Sequence, residues 1–398
     1  MRDMRQRLTV LLRRLQNALY RSKFFHLDHV GVVLMGMIVV SVLGFLAVNM
    51  SIFSPLKRAF DDFSMTDIYY HLQRSDALEL NSDIVLVDMT ELHDRGEIGQ
   101  VIHEINQCSP KVLAVDLIFQ NEGGDVMANA MLVGAIDENP EIIFSSKLID
   151  YQQEEDSFAH LVTSFFSQAG DYHFAYGNVV QKQSGGIIRD CSLSMKMNGK
   201  PFYSFAYATA CKYKGVKPHP QDPNIRPIIY GDTDFLIVKA HDVKEHAQLL
   251  KDKIVLLGTI SSEEDAHVTP IGKMAGMKIQ AFSIFTILKN RQVTYMSVWT
   301  GLLLAFILCY ISAWVGYWII KWIPKLAVNI LNFYYFLLAA ILVWIAFLCW
   351  VHFQYQVNLL YPLLGIALVE KGRSYYSGLI KLLYMKKKWK FLEHSLYK

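Results

Sequence analysis

Acidic residues are scarce at both ends of this chain. Of its 36 Asp and Glu, only 4 lie outside residues 50–297, where 17 Lys and Arg stand. Inside that stretch the balance reverses, with 32 acidic residues against 22 basic ones. Such a split argues against one evenly charged soluble surface. It suggests two compartments, with the basic ends beside a membrane. Nucleic acid, the other partner of basic ends, is not expected, because these clusters abut apolar runs.

Cysteine is also rare, at 5 in 398 residues. The spacing of Cys108, Cys191 and Cys211 matches no metal motif, and Cys309 and Cys349 lie in apolar runs. Two arrangements stay open for the first three: a Cys191–Cys211 disulfide with one thiol left over, or three buried thiols. Catalytic signatures are missing too. There is no G-x-x-x-x-G-K-[ST], no G-x-G-x-x-G opening a helix after a strand, and no G-x-S-x-G. No cofactor, no resident metal and no enzymatic activity are therefore expected.

Apolar residues are abundant. They make up 53% of the chain, and the mean hydropathy is +0.23, above the usual soluble range. Four segments are candidate spans: residues 29–50, 297–320, 327–350 and 355–370. The first resembles a retained signal anchor, since the positive region before it is nearly thirty residues long and no clear cleavage site follows. The fourth is shorter and contains Pro362, so a re-entrant or interfacial helix is its alternative. Lys and Arg crowd residues 1–28 and the tail 371–398, and Lys321 and Lys325 lie between the second and third spans. The link "VHFQYQ" has neither. Four crossings with both termini in the cytoplasm fit every loop, and residues 51–296 then face outward. That pattern predicts a bacterial inner-membrane protein. Leu8, Leu11, Leu12, Leu15 and Leu19 recur at helical spacing among arginines, as Leu379, Leu382, Leu383, Trp389, Leu392 and Leu396 do less regularly. Each end can lie on the lipid bilayer or meet a protein partner.

The outward region alternates strand and helix patterns. Residues 56–72 read as a helix. Asp83–Met89, Lys111–Phe119, Glu141–Leu148, "FLIVK" and Lys253–Ile260 are short apolar runs that predict buried strands. Between them, Glu97–Cys108 repeats Ile98, Val101, Ile102 and Ile105 at helical spacing, and Asp125–Ile136 opens on a candidate N-cap, Asp125. Asn198-Gly199 predicts a hairpin turn, followed by a helix over Phe202–Tyr213. Met277–Asn290 predicts a last helix leading to the second span. The fold class is α/β, a mainly parallel sheet with helices on both faces, joined to a four-span helical domain.

Five stretches in this order resemble the type 2 CHASE domain, the extracytoplasmic sensory module of cyclases and histidine kinases. "FSMTDIYYHL" is similar to its helix with an aspartate, here Asp67. "IVLVDMTE" and "KVLAVDLIF" resemble its first two strands, ending at Asp88 and Asp116. "GGIIRDCSL" is similar to its strand with an arginine, here Arg189. "KIVLLGTISSEEDAHVTPIGKMAGMKIQA" resembles its strand, Asp-x-His-x-Thr-Pro turn and helix start. One span before and three after also fit. Two departures stand out: "TELHDRGEIGQ" replaces a segment that carries Trp and Pro in the family, and no cytoplasmic effector domain follows the last span. The resemblance implies a sensory domain whose output passes through span movement or a separate protein, and it implies pairing between protomers.

The candidate ligand-binding residues are Asp88, Asp116, Arg189, Asp265 and His267. Asp88 and Asp116 are expected to end adjacent parallel strands, where open α/β sheets bind ligands. Their alternative role is to cap the next element. Arg189 can hold an anion or pair with one of these aspartates. Asp265 and His267 are expected to satisfy backbone groups in a structured turn. A metal set of His241, His246 and His267 is the weaker alternative. For function, a membrane sensor of an unknown small molecule stands beside a scaffold subunit of an envelope complex. A metal-dependent hydrolase built on Asp88, Asp116, Asp265 and His267 is a third reading.

Overall fold

The computed structural model describes residues 26–49, 80–121, 125–178, 186–221, 224–231, 233–260, 265–290, 294–353, 355–387 and 395. The helix expected around Asp67, and Glu263 and Glu264 of the acidic loop, lie outside the described residues. The chain divides into two compact units: residues 62–292, and residues 1–61 with 293–398. Helix α1 (Leu27–Asn49) belongs to the second of these.

The 62–292 unit is built on a parallel sheet. In chain order its elements begin with β1 (Leu80–Asp88), α2 (Arg95–Gln107), β2 (Val112–Val115), α3 (Val126–Asp137) and β3 (Ile143–Gln152). Then come β4 (Ser157–Val162), β5 (His173–Tyr176), β6 (Asp190–Ser192), β7 (Ser194–Met197), β8 (Lys200–Tyr203) and α4 (Phe205–Lys214). The remainder is β9 (Ile225–Pro227), β10 (Asp234–Lys239), the single turn α5 (Ala247–Leu250), β11 (Ile254–Gly258), β12 (Ala266–Thr269), β13 (Gly272–Ala275) and α6 (Gly276–Leu288). Strands β10, β1, β11, β2, β3 and β5 pair in that order, each pair parallel. The far half of β3 turns antiparallel to β4, and β7 and β8 extend that edge.

Both faces of the sheet are buried, which is why its strands read as unbroken apolar runs. Ile84, Leu86, Ala114 and Leu256 pack with α4 and α6 on one side. Val85, Val87, Val115 and Leu257 pack with α2 and α3 on the other. Each buried Leu, Ile or Val contributes roughly 1.5–3 kcal/mol. The expected mainly parallel sheet with helices on both faces is thus present. Asp125 does cap α3, its carboxylate accepting from Met127 N–H at 2.8 Å. Asn198 and Gly199, at φ 48° and 74°, make the hairpin turn.

Two expectations change. First, β1 and β2 are not neighbours, because β11 lies between them and pairs with both. Second, the Lys111–Phe119 run holds only four strand residues, after which the chain leaves the sheet. Neither Cys191 nor Cys211 is in a disulfide. Both are buried free thiols in different apolar clusters, as the alternative arrangement held.

In the other unit, β14 (Thr294–Tyr295) pairs with β15 (Tyr355–Gln356), and helices α7 (Val298–Trp322), α8 (Ala327–Phe353) and α9 (Leu360–Lys387) join α1. Among the described residues α7 and α8 are the two helices long and apolar enough to cross a membrane, with peak hydropathies of 2.0 and 2.4. Helix α9 runs unbroken through residue 370, where the sequence pattern divides span from tail. Pro362 does not interrupt it, because it sits in the first turn, where backbone N–H groups have no helical acceptor.

Candidate functional site

The expected ligand edge is the carboxyl end of the parallel strands, and the chain exits the sheet there in opposite directions. Helices α2 and α3 leave β1 and β2 for one face of the sheet. The chain after β11, which lies between them, leads to α6 on the other face. Such opposed exits open a cleft at the strand ends. Asp88, Asp116 and the β11 exit lie along this edge.

Asp88 ends β1. Its Oδ1 accepts from the Thr90 N–H at 3.0 Å, from the Thr90 hydroxyl and from the Ile260 N–H at 3.3 Å. This carboxylate ties the exits of β1 and β11 together. Asp116 follows β2, its N–H donating to the Leu257 carbonyl at 2.8 Å. Its carboxyl is enclosed, and burial pushes its pKa up to about 6. A hydrogen bond with Ser145 of β3 opposes the rise, and the Asp265 carboxylate adds to it. Asp116 and Asp265 therefore share one electrostatic neighbourhood.

The sequence expects a structured turn at Asp265, and the structure makes it a hairpin. Strands β12 and β13 pair antiparallel around Pro270-Ile271, and the Thr269 hydroxyl donates to the Gly272 carbonyl at 2.6 Å. Asp265 Oδ2 accepts from the Gly276 N–H at 3.1 Å, and its Oδ1 lies 3.3 Å from His267 Nε2. Gly276 opens α6, and a Cβ there would run into the Asp265 carboxylate. The acid thus clamps the first turn of the last helix of this unit. His267 orients the clamp rather than a backbone group.

Arg189 lies beside the same hairpin. Its neighbour Ile188 donates to the Val268 carbonyl at 2.8 Å, and its own carbonyl accepts from Ile228 at 2.7 Å. The fold therefore gathers Asp116, Asp265, His267 and the Arg189 backbone, with Asp88 two strands from Asp116. His241 and His246 belong to the turn after β10, where His246 Nδ1 lies 3.0 Å from the Asp242 carbonyl. Among the described residues no three His, Cys, Asp or Glu side chains form a group that could hold a metal.

A second polar cluster was not anticipated. It lies inside the helical unit. Asp28, fully buried, accepts from Tyr376 Oη at 2.8 Å and from Ser395 Oγ at 3.1 Å. Tyr310 Oη accepts from the His26 N–H at 3.0 Å. Arg373, 6% exposed, pairs with Glu370 at 2.8 Å and donates to the Ala313 carbonyl at 3.1 Å. Tyr335 donates to the same Glu370. Gly316 lies under the Arg373 guanidinium, where any side chain would collide. The start of α1, the later half of α7, the start of α8 and the middle of α9 thus meet at one end of the bundle. A signal existed in the sequence: Glu370 and Arg373 sit one helical turn apart at the edge of an apolar run, where ionisable residues usually have partners.

Residues 36–317 match the family model of the CHASE2 domain, a sensory extracellular domain family. Searches of curated proteins and of solved structures return no match.

Proposed function

The chain belongs to the CHASE2 family, and we propose that it is a receptor-like membrane sensor without catalytic activity. Residues 51–296 face outward from a bacterial inner membrane, α1, α7, α8 and α9 cross it, and both termini lie inside. The ligand seat is the cleft bordered by Asp88, Asp116, Arg189, Asp265 and His267. Output passes through helix movement or through a separate protein in the membrane or envelope, with a second copy of the chain as a further partner.

One observation carries this reading. Asp265 acts electrostatically on Asp116 and also holds the first N–H of α6, the helix whose chain continues to α7. A ligand that takes a hydrogen bond or charge from Asp265 changes the anchoring of that helix. The Asp28 and Glu370–Arg373 contacts tie α1, α7 and α9 together, so a shift of α7 against α9 would break them.

Native mass spectrometry of the full-length protein in mild detergent tests the proposal. A small-molecule adduct, lost from Asp116→Asn, is the expected result. A stoichiometric protein partner with no small-molecule adduct would favour a scaffold subunit instead.

A further inference from the structure

Strands β6 and β9 form a two-stranded ladder apart from the main sheet, pairing Cys191 with Arg226. Arg226 is 5% exposed, and its Nη1 is buried with no hydrogen-bond partner. Among the described residues it makes no ion pair. Arginine cannot escape such a position by losing its proton. A buried cation needs a partner charge, and among the described residues none is supplied.

Arg226 lines a cavity of about 150 Å³. Lys214, His219 and Asn290 stand along its wall, and no lining residue is acidic. Lys214 leans on the Leu288 carbonyl at 3.3 Å, which orients its charge without neutralising it. The opposite wall is apolar, formed by the cluster of Leu193, Tyr207 and Cys211. A cavity of that volume has room for a benzene-sized molecule.

We propose that this cavity is a binding site for a small organic acid. The carboxylate meets the planar guanidinium of Arg226, which suits two parallel hydrogen bonds, and the apolar body rests on Leu193 and Tyr207. The cavity touches the end of α6 through Thr286 and Ile287, eleven residues or so before α7 begins. The Thr286 hydroxyl also accepts from the Ile229 N–H at 2.9 Å, so occupancy bears on how α6 is held. This site lies among other residues than the carboxyl-edge cleft and does not depend on it.

The test uses full-length protein in detergent at constant ionic strength, with benzoate, its neutral isostere benzamide, and inorganic phosphate as probes. Benzoate is expected to raise the melting midpoint saturably by several degrees, as a ligand of the native state does. Benzamide is expected to leave it unchanged. Arg226→Met, which removes the unmatched charge but keeps the length, is expected to melt no lower than the parent without probe and to bind benzoate at least tenfold more weakly. Equal effects of benzoate and benzamide would overturn the proposal, and that comparison needs no variant. So would a full benzoate shift in Arg226→Met, the absence of a saturable shift, or a shift with phosphate alone.

Discussion

Protonation of Asp116 links pH to the stability of the 62–292 unit. Its folded pKa of about 6 lies above its ordinary 3.8, so folding takes up a proton between those values. The stabilising contribution is complete below about pH 4 and is lost as pH rises through about 6. Above that, the ionised carboxylate costs on the order of 3 kcal/mol. Ser145 and Asp265 are the groups that face it, one favouring the charge and one opposing it. Asp116→Asn is expected to raise the melting midpoint at about pH 7.5 and to flatten the profile between about pH 4 and 6. Melting curves of the full-length protein across that range check this, and a lower midpoint for the variant at neutral pH would refute it. At Asp265 the expectation is opposite. Asp265→Ala removes the acceptor of the Gly276 N–H and is expected to cost about 1 kcal/mol, the usual worth of a helix-start cap. Denaturant titration measures the loss. Loss of a hydrolytic activity in that variant would contradict the proposed non-catalytic role.

At the scale of elements, α9 is held by charge as well as by packing. Arg373→Met leaves Glu370 without its cation and removes the guanidinium's bond to the Ala313 carbonyl. A fully buried pair broken in this way costs roughly 3–5 kcal/mol. The Glu370 side chain is 36% exposed, so solvent screening lowers the expected cost to about 1–3 kcal/mol. Adding Glu370→Gln is expected to recover part of it, which a double-mutant cycle on thermal stability in detergent reads directly. Gly316→Leu is expected to destabilise the same contact by occupying the place of the guanidinium. Strand and helix identity was legible along most of the chain. Apolar runs marked β1, β3 and β11, and helical spacing marked α2, α3 and α6. Strands β4, β5 and β9 were not legible, because three- to six-residue pieces with mixed burial carry no periodicity to read.

For the whole molecule, the proposed four-span arrangement makes a plain prediction. In intact cells an impermeant maleimide is expected to label Glu154→Cys, in the exposed turn between β3 and β4. Lys325→Cys, between α7 and α8, is expected to react only after the membrane is opened. Both positions are exposed, whereas four of the five native cysteines are buried. Labelling of both from one side would reject the arrangement.

Apolar runs and turn residues by themselves determined the α/β class, and the resemblance of five ordered motifs supplied the family and the candidate acids, because each is a local property of the chain. Tertiary structure decided which of those acids meet. Strand β11 enters between β1 and β2 from more than 130 residues away in the chain, so Asp88 and Asp116 are separated although their strands are sequential. It also turned the acidic turn into a hairpin that clamps α6, and it buried Asp28, Arg226 and Arg373. A charged side chain in a sequence looks the same whether solvent or a partner meets it. Only the packing of distant elements removes the water and makes its partner, or the lack of one, decisive.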